Sequence, residues 1–570
     1  MLRRLLLGVA ACACLSQIAA YPLPPDSTAR NGVRQTKTSH LGRIVQPKTP
    51  SPDALPDVGP HPHAAQGLTR TYSGTPIDVL NYHYDNYPTG WNKSETDLTP
   101  ATVKSSSFGQ IASLNVDGNV LAQPLIVSNF TMPDSSVHNV LIVATGHNTV
   151  YAYDAQTYDI LWQRSMGPSQ TSDDVGCGDI QPEYGISSTP VILRADSSHA
   201  TIYLIAATEP ANLSFHTKLH ALDLGTGNDL MKAVEIAPKG KLETGGKIHY
   251  DPQNQWTRAA LAYSNGNIYV GVGSHCDNNA GDISGWVLSY STTDLHHTGA
   301  FNTIKAQADY ELSSIWMSGY APAIDPSGNV FTITGNGYYS NSKGHKGYGE
   351  SVLSLQPDLR RANGSFTPSN FQDLNNGDTD FGSGGFMLIP AADGQIAPPM
   401  GVGAGKAGDL YLLNASRLGG LERNKHQALQ KISTGAGCWC GPAYYEGPSG
   451  GVVFFQGSGD DIRAYSVMTG ATPGLTPTVT GNAGGGFGGS FPVVSTNGSA
   501  NHTGVVWLIR RGSPTEQLEA YNAETLGTPL FRQNAGNWSN GSRAYLSPLV
   551  ANGRVYVGAY QTVTVFGLTD

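Results

Sequence analysis

An all-β fold, an eight-bladed β-propeller of four-stranded antiparallel blades, is what three features of the sequence predict. The first is composition: 69 glycines and 14% charged residues in a chain of 570 suit many turns and little long exposed helix. The second is alternation of apolar and polar residues over short runs, the period of half-buried strands. The third is an internal repeat, which decides architecture before any local feature does.

The repeating unit is an apolar strand, a turn, and a second strand ending in a small residue, an aromatic or leucine, and aspartate or a substitute. VLIVATGHNTVYAYDAQTYDILW, Val140 to Trp162, shows it best. It returns as TIYLIAATEP with KLHALDLGTG, NIYVGVGSHC with GWVLSYSTTD, NVFTITGNG with SVLSLQPD, and DLYLLNASRLG. GVVFFQGSGDDIRAYSVMTG, VVWLIRRG with LEAYNAETLG, and RVYVGAYQTVTVFGLTD complete eight copies. Such hairpins cannot bury their faces alone, and radial stacking of four-stranded sheets covers them while leaving only short edges. A β-sandwich is the alternative, but eight copies with insertions fit blades better. The last copy ends at Asp570, so segments before Val140, such as Asn119 to Asn129, are expected to close the ring.

Ahead of the propeller, assigned to residues 75–570, two segments read differently. Met1 to Ala20 has two arginines, a short apolar core and a small-residue end, the pattern of a secretory signal peptide. It is too short to span a bilayer, so no transmembrane span is expected. Cys12 after Val9-Ala10-Ala11 offers lipoprotein processing as a rival. Residues 21–74, rich in proline, serine, threonine and histidine, read as a disordered leader.

The formal charge of −9 argues against nucleic acid as a partner, which would need a basic face. Outside the signal the cysteines are Cys177, Cys276, Cys438 and Cys440. Together with the signal they point to a secreted protein, extracellular or periplasmic, where disulfides persist. Four cysteines allow three pairings. Nine Asn-x-Ser/Thr triplets, among them Asn92, Asn129, Asn212 and Asn537, would make a glycoprotein of it in a eukaryotic secretory pathway.

The densest set of unusual polar groups lies between Ile315 and Leu388, at strand ends and loops, where function in β proteins concentrates. Units such as VYAYDAQTYDILW, LHALDLGTG and EAYNAETLGTPLF resemble the blade motif A-x-D-x-x-T-G-x-x-x-W of the quinoprotein alcohol dehydrogenase superfamily, propellers with pyrroloquinoline quinone (PQQ) type repeats. The resemblance covers roughly Val79 to Asp570. It implies the fold, and because related propellers bind no cofactor it does not by itself imply catalysis.

Residue by residue the resemblance implies more. IWMSGYAPAIDPSGNVFTITGN is similar to the family's stretch from floor tryptophan to calcium-binding asparagine, which makes Trp316 the floor under a quinone and Asn336 a calcium ligand. NGDTDFGSGGFML resembles the segment of the catalytic aspartate, here Asp380, without the tryptophan that precedes it. GAGKAGDLYLL and GCWCGPAYY are similar to segments whose lysine and tryptophan meet the cofactor, here Lys406 and Trp439. Calcium takes carboxylate and amide oxygens and polarises what it binds. A carboxylate beside it can take an alcohol proton while the cofactor accepts the reducing equivalents, and Lys406 would favour negative charge on a quinone oxygen.

The sequence also departs from that pattern. Where the family has adjacent cysteines against the cofactor, GCGDIQPEYG has Cys177 followed by Gly178. Where it has a calcium-binding glutamate, GSHCDNN has Cys276, with Asp277 the neighbouring carboxylate, a substitute only if the loop shifts. Glu183 or Tyr184 stands where an arginine is expected, and an acid there would repel an anionic quinone. One account pairs Cys177 with Cys276 across the ring centre. A bond between Cys438 and Cys440 is a further expectation that spacing does not decide.

Three functions follow. One is a PQQ- and calcium-dependent dehydrogenase of alcohols or sugars, passing electrons to an external acceptor because no C-x-x-C-H haem run occurs. The second is a non-catalytic propeller that binds a glycan or protein. The third is a carbohydrate-active hydrolase or lyase on the same scaffold, permitted by 27 tyrosines and 8 tryptophans.

Overall fold

The computed structural model describes residues 70–570 apart from 212, 242–244, 279–282, 305–311, 343–345, 392–398, 424–426, 513 and 539–545. The expected signal and all of the expected leader but its last five residues lie outside the described residues. Of those five, Arg70 donates its N–H to the Leu568 carbonyl (3.1 Å) and Tyr72 its hydroxyl to the Ser94 carbonyl (2.7 Å).

Eight sheets each built on four antiparallel strands, seven of them in chain order, make an eight-bladed propeller. The first blade pairs Leu125–Thr131, Val137–Ala144, Thr149–Asp154 and Ile160–Ser165. The next six lie at 191–235, 255–302, 323–367, 386–433, 443–480 and 493–537. The eighth has only three strands of its own within 549–568; its outer strand is Phe108–Asn119, paired antiparallel with Tyr560–Leu568 from Phe108 opposite Leu568 to Asn119 opposite Tyr560. Chain from before Val140 therefore closes the ring, with both ends of the propeller in one sheet.

The half-burial expected from alternation holds for outer strands such as Ile160–Ser165. Inner strands differ. Thr149–Asp154 is buried at every position, and Ala200–Thr208 at all but one, because each blade is packed between two others and both of its faces are covered. The repeat's aspartate sets the turn after the third strand: in the first blade Asp154 Oδ1 accepts the N–H of Gln156 (2.6 Å) and of Thr157 (2.8 Å), the local bonding that favours aspartate in turns. Its tryptophan joins blades, since Trp162 Nε1 donates to the Leu224 carbonyl of the second blade (2.9 Å).

The stretch Val79–Asn92 has no strand period, yet it bonds to every blade. Val79 N–H donates to Ile126 (2.8 Å) in the first. The carbonyls of Leu80, Asn86, Tyr87, Thr89 and Gly90 accept from Ile192, Ile324, Leu388, Tyr444 and Val494 in the second, fourth, fifth, sixth and seventh. Side-chain amides of Asn86 and Asn92 donate to Tyr263 (3.1 Å) in the third and Val550 (3.0 Å) in the eighth. All eight partners belong to first strands, so the segment fills the place where the inner edges converge. At its middle Tyr82 stacks on His83 with ring centroids 4.1 Å apart, and Tyr320 meets both edge-on. No helix among the described residues is long and apolar enough to cross a membrane.

Candidate functional site

In a four-stranded antiparallel blade, the turn between strands two and three and the link to the next blade emerge at the same end. Asp277, Asn336 and Lys406 lie on the former kind of loop; Cys177, Trp316, Asp380 and Trp439 lie on the latter. Topology alone therefore brings the residues singled out in the sequence to one face. There six of these seven line one cavity of about 470 Å³, within the range of small-molecule sites. Asn336 stands behind its wall.

Trp316 forms the cavity's flat apolar surface. Its Nε1 donates to the Ser274 carbonyl (2.9 Å). A Cβ at Gly273 or Gly335 would come within 2.5 Å of the indole ring, so only glycine lets it lie against both strands. Left-handed backbone gathers around it at Cys276, Asp277, Met317, Ser318 and Asp378, a conformation costly for non-glycine residues and typical of functional sites.

Asp380 is 1% exposed. Its Oδ1 accepts the Asn336 N–H (2.6 Å) and its Oδ2 lies 2.5 Å from Lys406 Nζ. Burial raises its carboxyl above the usual range, against the pull of the ammonium. Burial would lower Lys406, but Asp380 and Asp378 hold it above its ordinary value. Asn336 Nδ2 donates to Asp378 Oδ1 (2.9 Å), while its Oδ1 is buried without a partner among the described residues. A buried amide oxygen left unmatched beside a carboxylate is a donor awaiting a cation.

Asp277 accepts from Ser274 Oγ (2.5 Å), and burial pushes its carboxyl up to about 7. It lines the cavity. Cys276 is no ligand, because its sulfur is bonded to Cys177 with Cα atoms 5.5 Å apart. Cys438 and Cys440 are also bonded to each other, both fully buried, with half-buried Trp439 between them. Lys406 Nζ stands 5.9 Å from the Trp439 ring centre.

Several functional groups escaped the sequence reading. Arg258, fully buried and brought down to about 10 by burial, still carries its charge into the cavity at neutral pH. It supplies a cation where the expected arginine is missing. Glu183 is no threat to an anion there: it does not line the cavity, and its carboxylate is held by His147 Nδ1 (2.7 Å) and Ser169 Oγ (2.9 Å). Glu350 sits behind Asp380, accepting the Phe381 N–H (2.6 Å), and burial followed by the Asp380 charge drives it up to about 9. Trp256, Asp179 and Phe487 also line the cavity. The lone arginine in the otherwise uncharged run QWTRAALAYS was the one usable signal.

Against PQQ, a flat heteroaromatic tricarboxylate, the donor set fits. It offers an aromatic floor, a buried and a half-buried cation for carboxylates or quinone oxygens, and carboxylate oxygens of Asp380 and Asp277 for calcium, with the unpartnered Asn336 amide oxygen outside the lining. No family model and no curated protein matches the chain. Solved structures do. The quinohemoprotein alcohol dehydrogenase of Comamonas testosteroni is similar at 15% identity and TM-score 0.55, over 86% of this chain and 80% of that one. A quinohemoprotein alcohol dehydrogenase of Pseudomonas putida matches at 14% and 0.55 over 86% and 80%. A europium-containing methanol dehydrogenase matches at 13% and 0.53 over 87% and 98%. The chain has the eight-bladed fold of the quinoprotein alcohol dehydrogenases.

Proposed function

We propose that the protein is a PQQ- and calcium-dependent dehydrogenase that oxidises the hydroxyl of an alcohol or sugar. One observation supports the reading: Asp380, buried against Lys406 in a cavity floored by Trp316, accepts the backbone N–H of Asn336, whose own amide oxygen is buried with no partner among the described residues. Three solved structures of similar fold are named as alcohol or methanol dehydrogenases, one of them europium-containing.

Bound PQQ with its cation would supply the acceptor for two electrons and the hydrogen of the carbinol carbon. The chain's own residues supply the rest. Asp380 as a carboxylate takes the hydroxyl proton onto an oxygen, a task that the rise in its proton affinity on burial favours. Lys406 opposes burial and favours its ionised form. Arg258 and Lys406 balance anionic groups of the cofactor, and Trp316 holds a planar ring from below. Asn336 Oδ1, with Asp380 and Asp277, would hold the cation. Two disulfides at one site accord with action outside the cytosol, and electrons would leave to an external acceptor.

Titration of the apo-protein with PQQ, with and without Ca²⁺, tests this through tryptophan fluorescence. Saturable, calcium-dependent quenching that Trp316→Ala abolishes, with PQQ-dependent reduction of a dye by an alcohol, is the expected result. No binding would sink the dehydrogenase and leave a ligand-binding propeller, for which Cys276 in place of a metal-binding carboxylate is the favouring observation.

A further inference from the structure

The cavity mouth carries two aromatic rings that the chemistry at Asp380 does not use. Phe487 is 56% exposed; its ring centroid lies 5.5 Å from that of Trp439, with the planes 31° apart. Neither is a loose tip. Phe487 stands in the run Gly484-Gly485-Gly486-Phe487-Gly488-Gly489. The backbone of that run is tied to neighbouring loops by Gly484 N–H to Asp461 Oδ1 (2.8 Å), Gly488 N–H to Ser458 Oγ (2.9 Å) and Gly459 N–H to the Gly486 carbonyl (3.0 Å). Trp439 N–H donates to the Gly488 carbonyl (3.0 Å) and is flanked by the Cys438–Cys440 bond. Two pinned loops from successive blade links thus hold a large ring open to water. With Trp439 it gives the opening a contiguous aromatic face rimmed by polar groups, the pattern of a binding surface.

We infer that this mouth is a platform for a neutral sugar ring, whose C–H face stacks on Phe487 and Trp439 and whose hydroxyls donate to acidic oxygens at the rim. Asp378 offers such an oxygen. Its side chain is 75% exposed, Oδ1 is held by Asn336 and Lys406, and Oδ2 meets no donor among the described residues. Asp179 lines the same mouth. The carboxylates disfavour a sugar acid and a purely apolar alcohol alike. A quaternary ammonium guest would need rings on several sides, whereas these two form one wall, and the Lys406 ammonium already stands over Trp439. The inference rests on the dehydrogenase reading only for what happens to the sugar, not for its binding.

The experiment is calorimetric titration of the full chain, without cofactor, with D-glucose, cellobiose, glucuronate, 1-hexanol and choline, and separately with PQQ and Ca²⁺. Neutral sugars should bind, with Phe487→Ala weakening them by about tenfold, the size of a lost aromatic contact, and Phe487→Tyr retaining them. Preference for hexanol, choline or glucuronate, or an affinity of Phe487→Ala within about twofold of the parent, overturns the platform. So does a loss of sugar and PQQ binding in equal measure, which would mean a collapsed mouth. Sugar binding without PQQ binding upholds the platform and sinks the dehydrogenase; PQQ binding without sugar binding does the reverse.

Discussion

Asp380 faces one ammonium across 2.5 Å and is otherwise enclosed, so in the proposed reaction its charge state is what a variant must change. Asp380→Asn keeps the shape and removes the base; turnover should fall by about 10²–10⁴-fold, the usual worth of a general base, with PQQ quenching restored once calcium is raised to offset the lost carboxylate ligand. Lys406→Ala removes the group that opposes burial, so the acid limb of the kcat/KM profile should move to higher pH. An unmoved limb would mean that another group titrates. Glu516 is a structural counterpart. Fully buried near Trp538 and Arg511, it is pushed by burial up to about 8. A carboxyl raised on folding contributes stability below its unfolded value and loses it as pH rises to the folded one. Glu516→Gln should therefore be near neutral at pH 4.5 and stabilising by about 4–5 kcal/mol at pH 8.5, given 1.36 kcal/mol per unit, read from urea unfolding at both values. Trp316, Asn336, Asp380, Lys406 and Trp439 could be picked out because each lies in a contiguous stretch that resembles a quinoprotein segment. Arg258 and Glu350 were not, since what they do depends on side chains meeting across blades.

At the scale of elements, Val79–Asn92 is the segment no periodicity announces. Its order comes from eight first strands, each supplying one partner, and a pattern written into other parts of the chain cannot be read from its own residues. His83 is its weak point. The ring is fully buried, with Nε2 2.9 Å from Ser547 Oγ, and burial holds it down to about 3. A histidine lowered on folding gives stability that is present above its unfolded value and lost as pH falls toward the folded one. The protein should therefore weaken below about pH 6.5. His83→Phe keeps the stack on Tyr82 and removes the proton site. It should cost about 1–3 kcal/mol at pH 7 for the unpaired Ser547 hydroxyl and flatten the loss between pH 6.5 and 4. A variant as acid-sensitive as the parent would place the titrating group elsewhere, with His275, also held down to about 3 by burial, the next to replace.

Over the whole molecule, the repeat made the eight-bladed ring readable, because hairpins with two apolar faces have few other ways to cover them. The position of the closing strand was less so: Phe108–Asn119 pairs with chain more than four hundred residues away, and nothing local records that partner. Closure leaves the two disulfides with unequal work. Cys177–Cys276 spans 99 residues and ties the first blade link to the third blade; Cys438–Cys440 spans 2. If a cross-link acts by restricting the unfolded chain, the long loop is worth about 4–5 kcal/mol and the short one about 1. Replacing Cys177 and Cys276 by serine should thus lower the urea midpoint markedly, whereas the same change at Cys438 and Cys440 should barely move it. The shorter bond has a local task, holding Trp439 at the mouth, so its loss should show in the affinity for sugars while the unfolding curve stays in place. Equal losses of stability in the two double variants would mean that enthalpy within the folded ring, rather than loop length, sets what each bond contributes.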